Sequence, residues 1–428
     1  MIKILDSKIK NFDLILEKLL SKRKNKVQSG SVSVTKIIED VKRNGDKAIL
    51  KYEKRFNKNN IITPNLRQIN KSIKSLDKNV KKAIDLAYNR IYKFHSLQKF
   101  KNISYTDKLQ NKLEYKHVPI ESVAIYVPGS TVSYPSSVLM GAIPALVAGV
   151  KRIVMINPGQ KGKQNPAVLY AAKKCKIKEI YSIGGPSAIA GAAYGTKKIK
   201  KVDKIVGPGN LYVAAAKKEV SGDVGTEGMV AGPSEILIVC DKFSNSEWVA
   251  SDLIGQAEHD NLAQCILISK DKSLIKKVND EINKQLKNLP RAIIARNSIL
   301  NNGILIHIST DRKIIEIINK IAPEHLELNV KNYKKIVGKI KNSGSICLGK
   351  YALMALSDYN VGTNHVLPTN SSARYASGVS VAEFIKKISL IHLSKKGIET
   401  LGPSAITLAN YEGLVGHAKS VEKRIRRK

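Results

Sequence analysis

The sequence predicts an α/β protein built on two incomplete parallel-sheet layers, with a helical segment at its N-terminus and a small helical tail at its C-terminus. Three observations carry this. From residue 123 onward, short apolar runs end in Gly/Pro/Asn turns and lead into amphipathic stretches. Units of about thirty residues of this kind are the rhythm of a parallel sheet covered on both faces. After Ser234 the theme begins again, and before Glu121 the chain is mostly charged and helically patterned, most clearly over 37–56 and 79–100.

In the first series the strands are 123–127, 153–156, 177–183 and 202–206. Each meets a turn signal: Pro128-Gly129-Ser130, Asn157-Pro158-Gly159, Gly184-Gly185-Pro186-Ser187 and Gly207-Pro208-Gly209-Asn210. Helices then fill 136–148, 166–175, 188–193 and 211–220. In the second series, strands at 236–239, 265–269, 303–308 and 345–348 alternate with helices at 245–259, 273–286 and 313–321, and a helical tail follows Glu383. Parallel sheets bind ligands beyond the carboxyl ends of their strands, so the turns at 128, 184 and 207 mark one rim where amides and helix N-termini meet an anion. None matches G-x-G-x-x-G, and on the turns alone a purely structural role for these glycines stands level with a cofactor site.

Composition narrows the class. At 428 residues and 43% hydrophobic, the chain is long enough for more than one packed unit. The longest apolar stretch, 138–150, is too short and too rich in Gly, Ala and Pro to span a membrane, and the N-terminus lacks the apolar core of a signal peptide, so a cytoplasmic location is expected. Cys175, Cys240, Cys265 and Cys347 stand singly and read as small buried hydrophobes. The formal charge is +38, but Lys is spread through nearly every segment and aromatics are 5%, which argues against nucleic acid as partner. The compact basic cluster Lys423-Arg424-Arg426-Arg427-Lys428 reads as a solvated end.

The chemistry concentrates in four segments. Gln256-Ala257-Glu258-His259-Asp260 closes a predicted helix, and residues three apart share a helix face, so Gln256 and His259 present an amide oxygen and an imidazole to one point. That is half of a metal-ligand set, or an ordinary polar helix end. Glu324-His325, Asp358 with His365, and Glu412 with His417 each again combine a carboxylate with a histidine. Four of the eight histidines thus fall beside acids, a grouping that favours a functional site over scattered surface hydrogen bonds.

Six ordered segments resemble histidinol dehydrogenases across nearly the whole chain: Ala124-Ile125-Tyr126-Val127-Pro128-Gly129, Val206-Gly207-Pro208-Gly209-Asn210, Ala231-Gly232-Pro233-Ser234-Glu235, Gln256-Ala257-Glu258-His259, Ala322-Pro323-Glu324-His325-Leu326 and Gly362-Thr363-Asn364-His365-Val366-Leu367-Pro368. The resemblance implies an NAD-dependent enzyme with one Zn2+ per subunit that oxidises L-histidinol through the aldehyde to L-histidine. It implies an intertwined homodimer with shared active sites. Carried onto matching positions, Gln256, His259, Asp358 and His417 are the zinc ligands, the last from the partner subunit. Ser234, Gln256, His259, His325, Asp358, His365, Glu412 and His417 line the substrate, Tyr126, Ser187 and Asn210 meet the dinucleotide, and Glu324 and His325 are the catalytic bases. As neighbours in an extended loop, these two are expected to point apart. His325 would take the alcohol proton, because an imidazole titrates near working pH, and Glu324 would activate water on the aldehyde. Zinc has no redox chemistry and would fix and polarise the substrate.

One departure stands out: the loop Gly184-Gly185-Pro186-Ser187 ends in Ser where the family has Gln, which puts the Ser187 contact with NAD in doubt. Gly225-Thr226-Glu227-Gly228-Met229 is also atypical. The expected organisation is an N-terminal helical arm (1–25), a discontinuous α/β domain (26–122 and 234–380), a Rossmann-like domain carrying the NAD rim (123–233), and a C-terminal tail domain (381–428) reaching the partner's active site. The alternative substrate on the same scaffold is another small polar primary alcohol, such as sulfopropanediol.

Overall fold

The computed structural model describes residues 2–28, 31–129, 132–159, 163–228 and 232–425. Ser130, Met229, Ala231 and the basic tail residues Arg426, Arg427 and Lys428 lie outside them. The chain divides into two compact units, Met1–Gln98 with Glu121–Glu383, and Lys99–Ile120 with Phe384–Lys428.

The larger unit holds two all-parallel sheets. One has five strands in the order Glu179–Tyr181, Arg152–Ile156, Ser122–Tyr126, Lys204–Val206, Gly225–Thr226. The other has six, in the order Lys3–Asp6, Ile304–His307, Gln264–Ser269, Glu235–Cys240, His325–Asn329, Ser345–Leu348. The two-residue period of a strand sorts the six-stranded core into two faces. Ile236, Ile238 and Cys240 pack under the helices Ser246–Ala257 and Lys272–Gln285. Leu237, Val239, Leu326 and Leu328 pack on the opposite face with Phe12, Leu16 and the helix Asp311–Ile321. Each such side chain, fully buried, contributes about 1.5–3 kcal/mol. Leu326 and Leu328 belong to the second face, so the alternating His325 and Glu327 are directed to the first.

Several expectations are corrected. The N-terminal arm is not only helical: Lys3–Asp6 adds an edge strand to the six-stranded sheet. The helix expected over 37–56 breaks at Gly45, whose φ of 52° ends Ser31–Asn44 and starts Asp46–Phe56. Val34, Ile38, Val41, Ala48 and Ile49 of these helices join the core of the five-stranded sheet, although residues 26–122 were expected with 234–380. His325–Asn329 is a strand that its polar composition hid; it is buried along its whole length and pairs with Glu235–Cys240 on one side and Ser345–Leu348 on the other.

The smaller unit corrects the tail. Past Glu383 the chain is not helical throughout but first forms the strand Ile385–His392, antiparallel to Lys112–Pro119, which pairs in turn with Ile103–Thr106. Residues 99–120, expected in the first large domain, therefore fold with the tail. In these strands Leu113, Tyr115, Ile388 and Leu390 alternate with polar residues, Glu114 and Lys116 in one and Lys387 and Ser389 in the other. The helices Lys395–Tyr411 and Val415–Ile425 complete the unit. Among the described residues no helix is long and apolar enough to cross a membrane.

Candidate active site

The carboxyl edge of the five-stranded sheet is where the helices Pro135–Ala148, Gly185–Tyr194 and Leu211–Val220 begin. Tyr126 ends the central strand and is buried, and its phenol oxygen accepts from the Gly185 amide at 3.1 Å. Burial pushes its pKa up to about 12, so it stays a phenol. Two glycines are required here. Gly185 has φ 66°, and at Gly207 (φ 126°) a Cβ would stand 2.2 Å from the Tyr126 carbonyl oxygen. Beneath the turn, buried Glu53 accepts from the Gly184 amide at 2.7 Å, from Asn57 Nδ2 at 2.9 and 3.0 Å, and from Asn59 Nδ2 at 3.2 Å. Asn210 is exposed at the rim and caps its helix, accepting from the Val213 amide at 3.1 Å. Ser187 is buried and donates its hydroxyl to the Gly184 carbonyl at 3.3 Å, inside its own turn.

The second cluster lies at the amino edge of the six-stranded sheet. Half-buried Ser234 precedes the strand Glu235–Cys240, and Glu324 and His325 open the neighbouring strand, both buried. The Glu235 amide donates to Glu324 Oε2 at 2.7 Å. Glu324 Oε1 is 4.0 Å from His325 Nε2, so the two bases share a side and do not point apart. The helix Ser246–Ala257, capped at its start by Asn245, runs back to this edge, and a further turn bonds the His259 amide to the Gln256 carbonyl at 3.3 Å. Gln256 is 0% exposed, and neither its amide oxygen nor its amide nitrogen has a hydrogen-bond partner. Asp358 comes from the helix Met354–Tyr359; its buried Oδ1 is also without one and lies 3.6 Å from His325 Nε2. His365 Nδ1 donates to the Asp358 carbonyl at 2.7 Å, and its Nε2 is 3.4 Å from Ser137 Oγ.

Burial, then the neighbouring His365 and His259, push His325 down to about 3, and burial pushes His365 to about 4, so both rings are neutral. The expectation of an imidazole titrating near working pH is corrected for this environment. Burial lifts Asp358 to about 7. His259 faces solvent on one side, while the protein packed on the other, then Arg291, lower its pKa. A buried polar atom left unpaired costs about 1–3 kcal/mol, so the Gln256 and Asp358 atoms call for a partner. Amide and carboxylate oxygens beside an imidazole, at the negative end of a helix, suit a borderline cation.

The predicted residues are not all brought together. Gln256, His259, Asp358, His325, Glu324 and His365 converge in the larger unit. Glu412 and His417 lie on the smaller unit, after Lys395–Tyr411 and within Val415–Ile425, and are exposed there. Among the described residues no three His, Cys, Asp or Glu side chains form a metal-holding group. Sequence reasoning passed over Glu53, Ser137 and Glu327. Glu327 had a signal, its spacing of two from His325, but only once the strand is known.

Two covered parallel sheets, with a glycine-rich rim on one and a buried group of acid–base and ligand side chains on the other, define an α/β enzyme. The histidinol dehydrogenase family profile matches residues 20–425. The chain is 83% identical to histidinol dehydrogenase of Pelagibacter ubique (strain HTCC1062) over all of both chains, and 43% identical to that of Nitrosomonas europaea over 99% of this chain and all of the other. The crystal structure of histidinol dehydrogenase from Elizabethkingia anophelis superposes with a TM-score of 0.90 at 36% identity, covering 99% of this chain and 98% of that one. The chain belongs to the histidinol dehydrogenase family, oxidoreductases of histidine biosynthesis. Oxidation of another polar alcohol is not favoured.

Proposed function

We propose that this chain carries out the four-electron oxidation of L-histidinol through L-histidinaldehyde to L-histidine with two NAD and one zinc per subunit, as a cytoplasmic homodimer with shared sites. The observation that carries the reading is the amino-edge cluster, in which Gln256 and Asp358 hold buried polar atoms without partners next to two buried bases. Gln256, His259 and Asp358 would hold zinc, with His417 of a second copy as the fourth ligand. When bound, the metal would fix the substrate and polarise its hydroxyl.

Neutral His325 accepts the alcohol proton as hydride passes to NAD, and the Glu324 carboxylate 4.0 Å away stabilises the imidazolium. In the second half, Glu324, held by the Glu235 amide, takes a proton from the water that adds to the aldehyde, and the hydrate gives up the second hydride. Ser234, His365 and Glu412 of a second copy orient the substrate. Asn210 and the Gly184-Gly185 turn, seated on Tyr126, receive the dinucleotide. Ser187 contributes to that turn from within.

A dimer is supported by the apolar side chains flanking Glu412 and His417: Leu408, Tyr411, Leu414 and Val415 are all exposed, Tyr411 at 92%. A patch of this kind calls for a protein partner. The test is NADH formed per molecule of histidinol, with histidinal and sulfopropanediol alongside. Two NADH per histidinol, lost on chelation and restored by zinc, is expected. No NADH, together with salt-sensitive retention on nucleic acid, would overturn the reading.

A further inference from the structure

Glu327 lies two residues beyond His325 on the same strand and is directed to the same face, yet the oxidation described above does not use it. It is 2% exposed. Its Oε1 accepts from the Met354 amide at 2.7 Å, the first residue of the six-residue helix that carries Asp358. Its carboxyl also faces that of Asp252, which stands on the helix Ser246–Ala257 one turn before Gln256. One buried side chain therefore ties together the strand of His325, the helix of Gln256 and the helix of Asp358.

We propose that Glu327, paired with Asp252, is the positioning residue that sets the spacing of the ligand-bearing segments at the amino edge. This rests on the zinc reading above. A hydrogen bond between two carboxyl groups needs one proton, so the pair is a single unit: one group donates, the other accepts, and the Met354 amide occupies the remaining Glu327 oxygen. Burial holds both carboxyls above their ordinary range, in keeping with a shared proton. A pair that shares one proton carries one negative charge in place of two and is engaged in its own contacts beneath the metal site, and it fixes Gln256 and Asp358, whose own buried atoms have no hydrogen bonds to fix them.

The test is zinc affinity of the purified full-length protein, read by competition with a fluorescent chelator, with NAD affinity measured on the same samples. Glu327→Ala and Asp252→Ala are each expected to weaken zinc about 10–100-fold and leave NAD binding within about twofold. Glu327→Gln is expected to restore zinc affinity to within about threefold, because its amide oxygen accepts from Met354 and its amide nitrogen donates to Asp252. The double variant Asp252→Ala/Glu327→Ala should lose no more than the worse single variant.

Wild-type zinc affinity in a Glu327→Ala protein that still binds NAD would overturn the inference. So would two losses that multiply in the double variant. If Glu327→Ala does not fold, Glu327→Gln decides, and a loss of tenfold or more there overturns the shared-proton pair. Absence of zinc binding by the wild type would instead overturn the reading of the site, and this inference with it.

Discussion

The two parallel sheets of the larger unit present opposite edges to their clusters of functional side chains, and their buried groups are treated in opposite ways. At the carboxyl edge of the five-stranded sheet three helices begin, and the buried carboxylate Glu53 is surrounded by donors from Gly184, Asn57 and Asn59. Helix N-termini and free amides suit an anion. At the amino edge of the six-stranded sheet the helix Ser246–Ala257 ends, Gln256 and Asp358 hold unpartnered buried atoms, and Glu327 faces Asp252. Helix C-termini and oxygen donors suit a cation. One fold class thus builds two chemically distinct sites, according to which edge of the sheet it uses.

The largest expected effect breaks the amino edge alone. Asp358→Ala should abolish zinc retention and lower histidinol oxidation by about 10³-fold or more, while NAD binding measured by fluorescence titration stays intact. Parallel loss of NAD affinity would show that the two edges are not separable.

Within that edge, His325→Ala should cripple the alcohol step by about 10²–10⁴-fold. Glu324→Gln should mainly block aldehyde oxidation, so that histidinol yields nearer one NADH than two. Equal turnover of histidinal by wild type and Glu324→Gln would remove Glu324 from the second half-reaction.

At the carboxyl edge, Glu53→Ala leaves the Gly184 amide without its acceptor. It should destabilise the protein by about 1–3 kcal/mol in denaturant unfolding and raise KM for NAD more than KM for histidinol. An equal rise in both would show that Glu53 supports the fold generally and not the rim.

A smaller effect distinguishes the buried acids by pH. Glu327 is faced by Asp252, by Asp358 and by the thiols of Cys347 and Cys240, and burial raises its folded pKa above its unfolded one. The folded protein therefore binds more protons, so this contribution is present at low pH and is lost as pH rises above the ordinary carboxylate range. Metal-free wild type should lose Tm relative to Glu327→Gln between pH ~5 and pH ~8. A difference in Tm that does not change with pH would mean Glu327 is ionised throughout. Smallest of all, Ser187→Ala should leave NAD affinity within about twofold, because the hydroxyl is held by the Gly184 carbonyl. A tenfold loss would place Ser187 at the cofactor.

Most of the strand–turn–helix series was legible because apolar period and Gly/Pro/Asn turns are local signals. The strand at 236–239 and the helix at 211–220 lie within one or two residues of Glu235–Cys240 and Leu211–Val220. Where polar residues occupy a buried strand, as in His325–Asn329, the same rule fails, since the period is carried by leucines at two positions only. The strand Lys112–Pro119 alternates polar and apolar residues but lies in a stretch whose charge reads as helix, and the break at Gly45 was hidden by a continuous helical pattern on both sides.

The sequence by itself determined the fold class, the set of scarce histidines beside acids, and the motifs that place the chain in its family, because each is written in neighbouring residues. Only the tertiary structure decided which edge of each sheet carries chemistry, that Glu324 and His325 share a side, that His325 is held neutral, and that Glu327 lies where three elements meet. Those depend on burial and on distances between segments far apart in the chain, and no local pattern encodes them.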